Sequence, residues 1–239
     1  YNEYKQIVFK SISHPGINFL WYFLRSAIHC IFRENYDLVH THHLAGAFIV
    51  PILRLKYKRV VVTSHGMPVK TKKWPMIAPI YYPIMRVLFA KFSTAITTVS
   101  KLDSKYYETY TNKKILYIPN GVDKMQICLP EIHLRPDIFF AAGRIIPTKG
   151  CHILLEALND INFTGRICIA GDVNQIESYK KRLDLLSEDL NITYLGLIKD
   201  KSLLLGYIQK SKIFVYPSSV EAMSMMLLES ALTKTPIIA

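Results

Sequence analysis

Short runs of β-branched and apolar residues alternate along this chain with longer stretches of helical periodicity, and that alternation confines the fold to parallel-sheet α/β architectures. Candidate strands are Gln6 to Lys10, Leu38 to Thr41, Val60 to Ser64, Ala95 to Val99 and Ile115 to Ile118. Between the first two, Asn18 to Arg33 carries Leu20, Leu24, Ala27, Ile28 and Ile31 at helical spacing. Lys101 to Tyr110 reads as a helix capped by Ser100. A stretch rich in Pro and charge, Asp123 to Asp137, shows no period, and a second series follows it. Its strands are expected at Ile138 to Ala142, Arg166 to Ala170, Thr193 to Leu195 and Ile213 to Tyr216. Its helices are expected at His152 to Leu158, Glu177 to Leu186, Lys201 to Ser211 and Met225 to Leu232. The expectation is two Rossmann-like lobes: an amino-terminal domain over 1–124, a linker over 125–137 and a carboxyl-terminal domain over 138–239.

The 239 residues, 50% hydrophobic, suffice for one large or two ordinary domains. Thirty Lys and Arg against 18 Asp and Glu give a net charge of +12, which attracts phosphates, anionic lipid surfaces or nucleic acid without deciding among them. The cations are dispersed and no helix-turn-helix, RNA-recognition or finger pattern is present, so nucleic acid ranks last. Cys30, Cys128, Cys151 and Cys168 stand far apart without a CxxC pair, which fits a reducing, cytoplasmic compartment. The apolar stretch Trp74 to Thr98 is interrupted by Arg86, Lys91 and prolines and is not read as a membrane span. With Lys70, Lys72 and Lys73 upstream it suits either peripheral contact with an anionic bilayer or a core helix with a solvated basic face. Tyr stands first rather than Met, and the last residues stop inside an apolar run, so the chain reads as a fragment cut at both ends.

In open α/β sheets ligands bind beyond the carboxyl ends of strands. Four such places carry unusual chemistry. Gly143-Arg144-Ile145-Ile146-Pro147-Thr148-Lys149-Gly150 pairs flanking glycines with a guanidinium fork and an ammonium, which suits a diphosphate; a tight turn with two solvated cations explains it equally well. In Pro217 to Glu229 a helix opens near Met223, and its free N–H groups suit phosphate oxygens. Glu221 and Glu229 would stand about 12 Å apart at helical rise, too far for a hydrolase carboxylate pair, so they suit two hydroxyl groups of one extended ligand. The competing reading is a helix cap and an exposed glutamate. His40 and His42 alternate onto one strand face and His43 onto the other, so they are not converging metal ligands, and His40 reads as a satisfied buried histidine. His65, followed by Gly66, is the better functional candidate. Ile118-Pro119-Asn120-Gly121-Val122-Asp123 is turn chemistry where one lobe ends and a hinge could lie.

Together with Thr97-Thr98-Val99 and Ser100, Ile169 to Asp172 and Tyr194 to Gly196, these places resemble, in order and spacing, glycosyltransferase family 4. That resemblance implies the GT-B fold: two Rossmann-like domains facing across a cleft that holds the active site. It implies a retaining glycosyltransferase moving a hexose or acetylhexosamine from a nucleotide sugar, UDP- or GDP-linked, to a glycan or lipid-linked acceptor in surface polysaccharide synthesis. Gly143, Arg144, Lys149 and the backbone of Met223, Ser224 and Met225 would bind the donor diphosphate. Glu229 would bind the ribose, Glu221 would approach the transferred sugar, and His65 would lie near the reacting sugar. No metal or cofactor is implied beyond the nucleotide-sugar co-substrate. Ala222 and Ser224 stand where the family often has glycines, and Val173 where a further glycine is common. The alternative is a GT-B relative that transfers nothing, a sugar-nucleotide epimerase or an inactive binding subunit.

Overall fold

The computed structural model describes residues 5–10, 12–13, 15–66, 78–124, 126–130 and 135–239. The chain divides into two compact units, Tyr1–Pro119 and Asn120–Ala239.

In the first unit, α1 (Pro15–Arg33) precedes β1 (Val39–His42), α2 (Ile49–Arg54), β2 (Val60–Ser64), α3 (Ala78–Phe92), β3 (Ala95–Thr98), α4 (Lys101–Glu108) and β4 (Ile115–Tyr117). The four strands pair in parallel in the order β1-β2-β3-β4. β2 buries Val60, Val62, Thr63 and Ser64, as expected for an interior strand with both faces covered. Around it pack Val50 and Leu53 of α2, Phe89 of α3, Ile96 of β3 and Tyr107 of α4. The Tyr107 hydroxyl lies 3.1 Å from Ser64 Oγ inside this core, and burial pushes its pKa above the ordinary phenol range. Ser100 caps α4 as expected, accepting from the Leu102 N–H.

Two expectations change here. Gln6 to Lys10 forms no strand; Phe9 instead packs on α1, edge-on to Tyr22 and His29, with the Arg25 guanidinium 5.4 Å from its ring. Side-chain packing against a helix thus replaces ladder pairing. The short helix α2 was not legible, because six residues hold too few turns for a period to register. Trp74 to Ile77 lie outside the described residues, and α3 runs on through Pro83. Among the described residues no helix is long and apolar enough to cross a membrane.

The second unit runs β5 (Ile138–Arg144), α5 (Cys151–Asp160), β6 (Ile167–Asp172), α6 (Glu177–Leu186), β7 (Ile192–Gly196), α7 (Lys201–Lys210), β8 (Ile213–Val215), α8 (Met225–Ala231) and β9 (Ile237–Ile238). Its parallel sheet has the order β7-β6-β5-β8-β9. Phe139 and Phe140 of β5, Leu155 of α5, Ile167 and Ile169 of β6, Leu183 of α6 and Phe214 of β8 are fully buried on its two faces. The chain therefore winds outward from β5 to β7, returns to the centre at β8 and winds the other way. That reversal falls between neighbouring β5 and β8, so the crevice of this unit opens at their carboxyl ends.

Candidate functional site

At that crevice the loop after β5 meets the loop after β8. A short 3-10 turn, Pro147–Lys149, leads into Gly150, whose φ of 76° is left-handed. A Cβ on Gly150 would sit 1.9 Å from the Pro217 carbonyl oxygen, so only glycine lets the two loops touch. They are then joined by the Ser219 N–H and the Ser218 hydroxyl, both donating to the Thr148 carbonyl, at 3.0 and 3.1 Å. Gly143 differs: it is exposed, and a Cβ there would meet nothing within 4 Å. Its bareness answers no packing demand within the chain and leaves room for a ligand.

Across the joined loops, the Lys149 ammonium donates to Glu221 Oε1 at 2.5 Å. The same oxygen accepts from the Tyr216 hydroxyl at 2.9 Å and the Ser218 hydroxyl at 2.8 Å, and Lys149 also reaches the Tyr216 hydroxyl at 3.2 Å. Burial pushes the Glu221 pKa up, but the bonds from Lys149, Ser218 and Tyr216 outweigh it and hold the carboxyl below its usual range. Burial likewise lowers Lys149, and its bonds to Glu221 and Tyr216 carry it above the ordinary lysine value. Both groups are therefore charged at neutral pH. One cation and one anion compensate each other here, and three of four contacts fall on a single carboxylate oxygen.

Arg144 ends β5 in register with Asp172 of β6; its exposed guanidinium has no hydrogen bond or ion pair among the described residues. α8 begins at Met225, where the helix is expected, and Ser224 is its N-cap, accepting from the Leu227 N–H at 3.4 Å. The Ser224 hydroxyl is thus engaged, whereas the N–H groups of Met223, Ser224 and Met225 find no acceptor among the described residues. Asn120 holds this turn, donating from its side chain to the Met223 carbonyl at 3.1 Å. Glu229 is buried on α8 and bonds not to the loop cluster but to Lys201, at 2.5 Å. The fold thus joins Lys149 to Glu221 directly and gives Glu229 a separate partner. Tyr216, Ser218 and Lys201 were missed in the sequence; Ser218 stands one turn before Glu221, but nothing in spacing ties Lys201 to Glu229.

In the first unit the histidines form a stack at the ends of β1 and β2. His42 lies between His40 and His65, with ring centroids 4.2 and 5.2 Å away, and its Nδ1 is 2.9 Å from His65 Nε2. His40 bonds Thr63 Oγ1 at 2.6 Å, so it is satisfied, but it is exposed on β1 rather than buried. The correction follows from its place on the open face of an edge strand. Desolvation, then the neighbouring imidazoles, push His40 and His65 below the usual histidine pKa. His43 turns away with φ of 80° and accepts from the Ala45 N–H. Among the described residues no three His, Cys, Asp or Glu side chains are grouped to hold a metal.

Comparison with known proteins shows the family and the fold. An uncharacterized glycosyltransferase of Methanocaldococcus jannaschii is 26% identical over all of this chain and 66% of its own length. A UDP-Gal:alpha-D-GlcNAc-diphosphoundecaprenol alpha-1,3-galactosyltransferase of Escherichia coli is 28% identical over 86% of this chain and 58% of its own. The chain thus spans about three fifths to two thirds of the curated relatives it matches. Anabaena HepE, solved with UDP, superposes with a TM-score of 0.73 at 15% identity over 96% of this chain and 66% of that one, a likeness of the GT-B fold. The model for glycosyl transferases group 1 matches residues 130–239, and that for Glycosyltransferase Family 4 matches residues 2–125, more than half of the chain. The chain belongs to glycosyltransferase family 4.

Proposed function

We propose that the protein is a retaining glycosyltransferase that moves a hexose or acetylhexosamine from a UDP- or GDP-linked donor to a glycan or lipid-linked acceptor in surface polysaccharide synthesis. The observation that carries this reading is the joined pair of loops at the β5/β8 crevice, with Lys149 and Glu221 between them and Arg144 unengaged at the end of β5. The relatives support it: the Escherichia coli protein is named for transfer from UDP-Gal to a diphosphoundecaprenol-linked acceptor, and HepE was solved with UDP-glucose.

In this reading Arg144 and Lys149 take the donor diphosphate, over bare Gly143 and beside the N–H groups of Met223, Ser224 and Met225. Glu221 takes a hydroxyl of the transferred sugar through the oxygen that the cluster leaves open. Glu229 takes the ribose. His65 is assigned to the reacting sugar by its motif alone. During transfer the bond from the anomeric carbon to the diphosphate oxygen breaks while an acceptor hydroxyl attacks from the same face. The departing phosphate oxygen takes the hydroxyl proton, so atoms and charge balance without an enzyme nucleophile. Lys149 and Arg144 stabilise the charge that grows on that phosphate, and Lys149, held by Glu221 and Tyr216, need not reorient as it develops. The basic surplus of +12 supports peripheral contact with the inner face of the cell membrane, where a lipid-linked acceptor would be met.

Calorimetric titration of the full-length protein with UDP and with GDP tests the site. One of the two should bind, and Arg144→Ala and Lys149→Ala should each weaken it about tenfold or more. Unchanged affinity in both variants rejects the assignment. Mass spectrometry of products from a panel of nucleotide sugars, with and without acceptor, separates transfer from hydrolysis or epimerisation.

A further inference from the structure

We propose that Lys201 is a positioning residue for Glu229, keeping that carboxylate in place and turned so that one oxygen is offered to a ribose hydroxyl. The inference rests on the donor-site reading above and adds to it a residue on another helix. Glu229 lies in the second turn of α8 with its side chain only 10% exposed, and a carboxylate that enclosed is costly to leave without a partner. Its one partner among the described residues is the ammonium of Lys201, the first residue of α7, bound to Oε1 at 2.5 Å. The second oxygen has no partner there, yet it is not among the sealed, unsatisfied polar atoms, so it reaches solvent. One oxygen is thus held and the other presented.

The position of Lys201 is itself set. Asp200 caps α7, its Oδ1 accepting from the Ser202 N–H at 2.9 Å, the Leu203 N–H at 3.4 Å and the Ser202 hydroxyl at 2.8 Å. This fixes the first turn of α7, from which the lysine reaches across to α8. A ribose offers two adjacent hydroxyl donors, and an ionised carboxylate held in one orientation is a stronger acceptor for them than one free to turn. The Lys201 side chain is 58% exposed, so replacing it opens no cavity, and Lys201→Arg keeps a cation beside Glu229.

The test is calorimetric titration of the full-length protein with UDP and with 2′,3′-dideoxy-UDP, or the guanosine pair where GDP is the ligand. The unaltered protein should bind the ribonucleotide about tenfold more tightly, the worth of a charge-assisted hydrogen bond. Lys201→Met should remove most of that preference by weakening the ribonucleotide alone. Lys201→Arg should restore it, and Glu229→Gln should abolish it. A Lys201→Met protein that keeps the full preference overturns the inference while leaving the donor site standing, whether both ligands weaken equally or neither does. An unaltered protein that binds both forms equally removes the ribose role of Glu229 and the inference with it. One that binds neither UDP nor GDP removes the donor-site reading itself.

Discussion

Gly150 and Pro217 meet so closely that a methyl group on the glycine would lie 1.9 Å from the proline carbonyl oxygen. This contact brings the loop of Lys149 against the loop of Glu221. Gly150→Ala should therefore cost at least about 2 kcal/mol, from a left-handed backbone and a clash with main chain that cannot rotate away. Gly143→Ala, with nothing within 4 Å, should change stability by no more than about 0.5 kcal/mol while weakening the nucleotide. Urea unfolding of both variants checks the pair, and equal costs would refute it.

A double-mutant cycle on Lys149→Met and Glu221→Gln should give a coupling energy of about 1 kcal/mol toward stability. The pair is only a quarter exposed, above the worth of a free surface pair, yet Tyr216 and Ser218 still serve Glu221 once the lysine is gone. Additive effects would show that Lys149 and Glu221 act independently.

Stability should fall in acid in two stages. The folded pKa of His40 and of His65 is depressed, first by desolvation and then by His42. The unfolded chain therefore takes up protons first, and the stabilisation present above about pH 6.5 is lost as pH drops below it. Glu221 is also depressed, so its contribution holds above the ordinary carboxylate range and disappears as pH falls through its lower folded value. Thermal melts from neutral to acid pH should show both stages, and His40→Gln with His65→Gln should flatten the first. An unaltered first stage in that double variant would exclude these histidines as its source.

Ser100→Ala should destabilise the first unit by about 1 kcal/mol, because the Leu102 N–H loses its side-chain acceptor at the start of α4. Far-UV circular dichroism during denaturant unfolding reads the change, and wild-type stability would mean that water replaces the cap.

Much of the second unit was legible. Glu177–Leu186 forms as expected to the residue, the other expected helices and strands there shift by one or two positions at their ends, and β9 had no expected counterpart. Periodicity and turn residues act within a few positions, so they survive reading in one dimension. Gln6 to Lys10 failed because alternation of apolar residues states only that one face seeks cover, and α1 supplies that cover as well as a strand would. His40 failed likewise: its alternating position is real, but the open face of an edge strand leaves it exposed.

By itself the sequence determined the alternation of strand and helix, the family's motifs, and the kinds of side chain that stand after each strand, since all of these are local. Tertiary structure alone decided that the strand order reverses between β5 and β8, that the Lys149 ammonium donates to Glu221, 72 positions away, and that Glu229 is answered by Lys201. Those pairings depend on which helices the sheet sets side by side, and burial then makes each enclosed charge find a partner; neither is written in the spacing of residues along the chain.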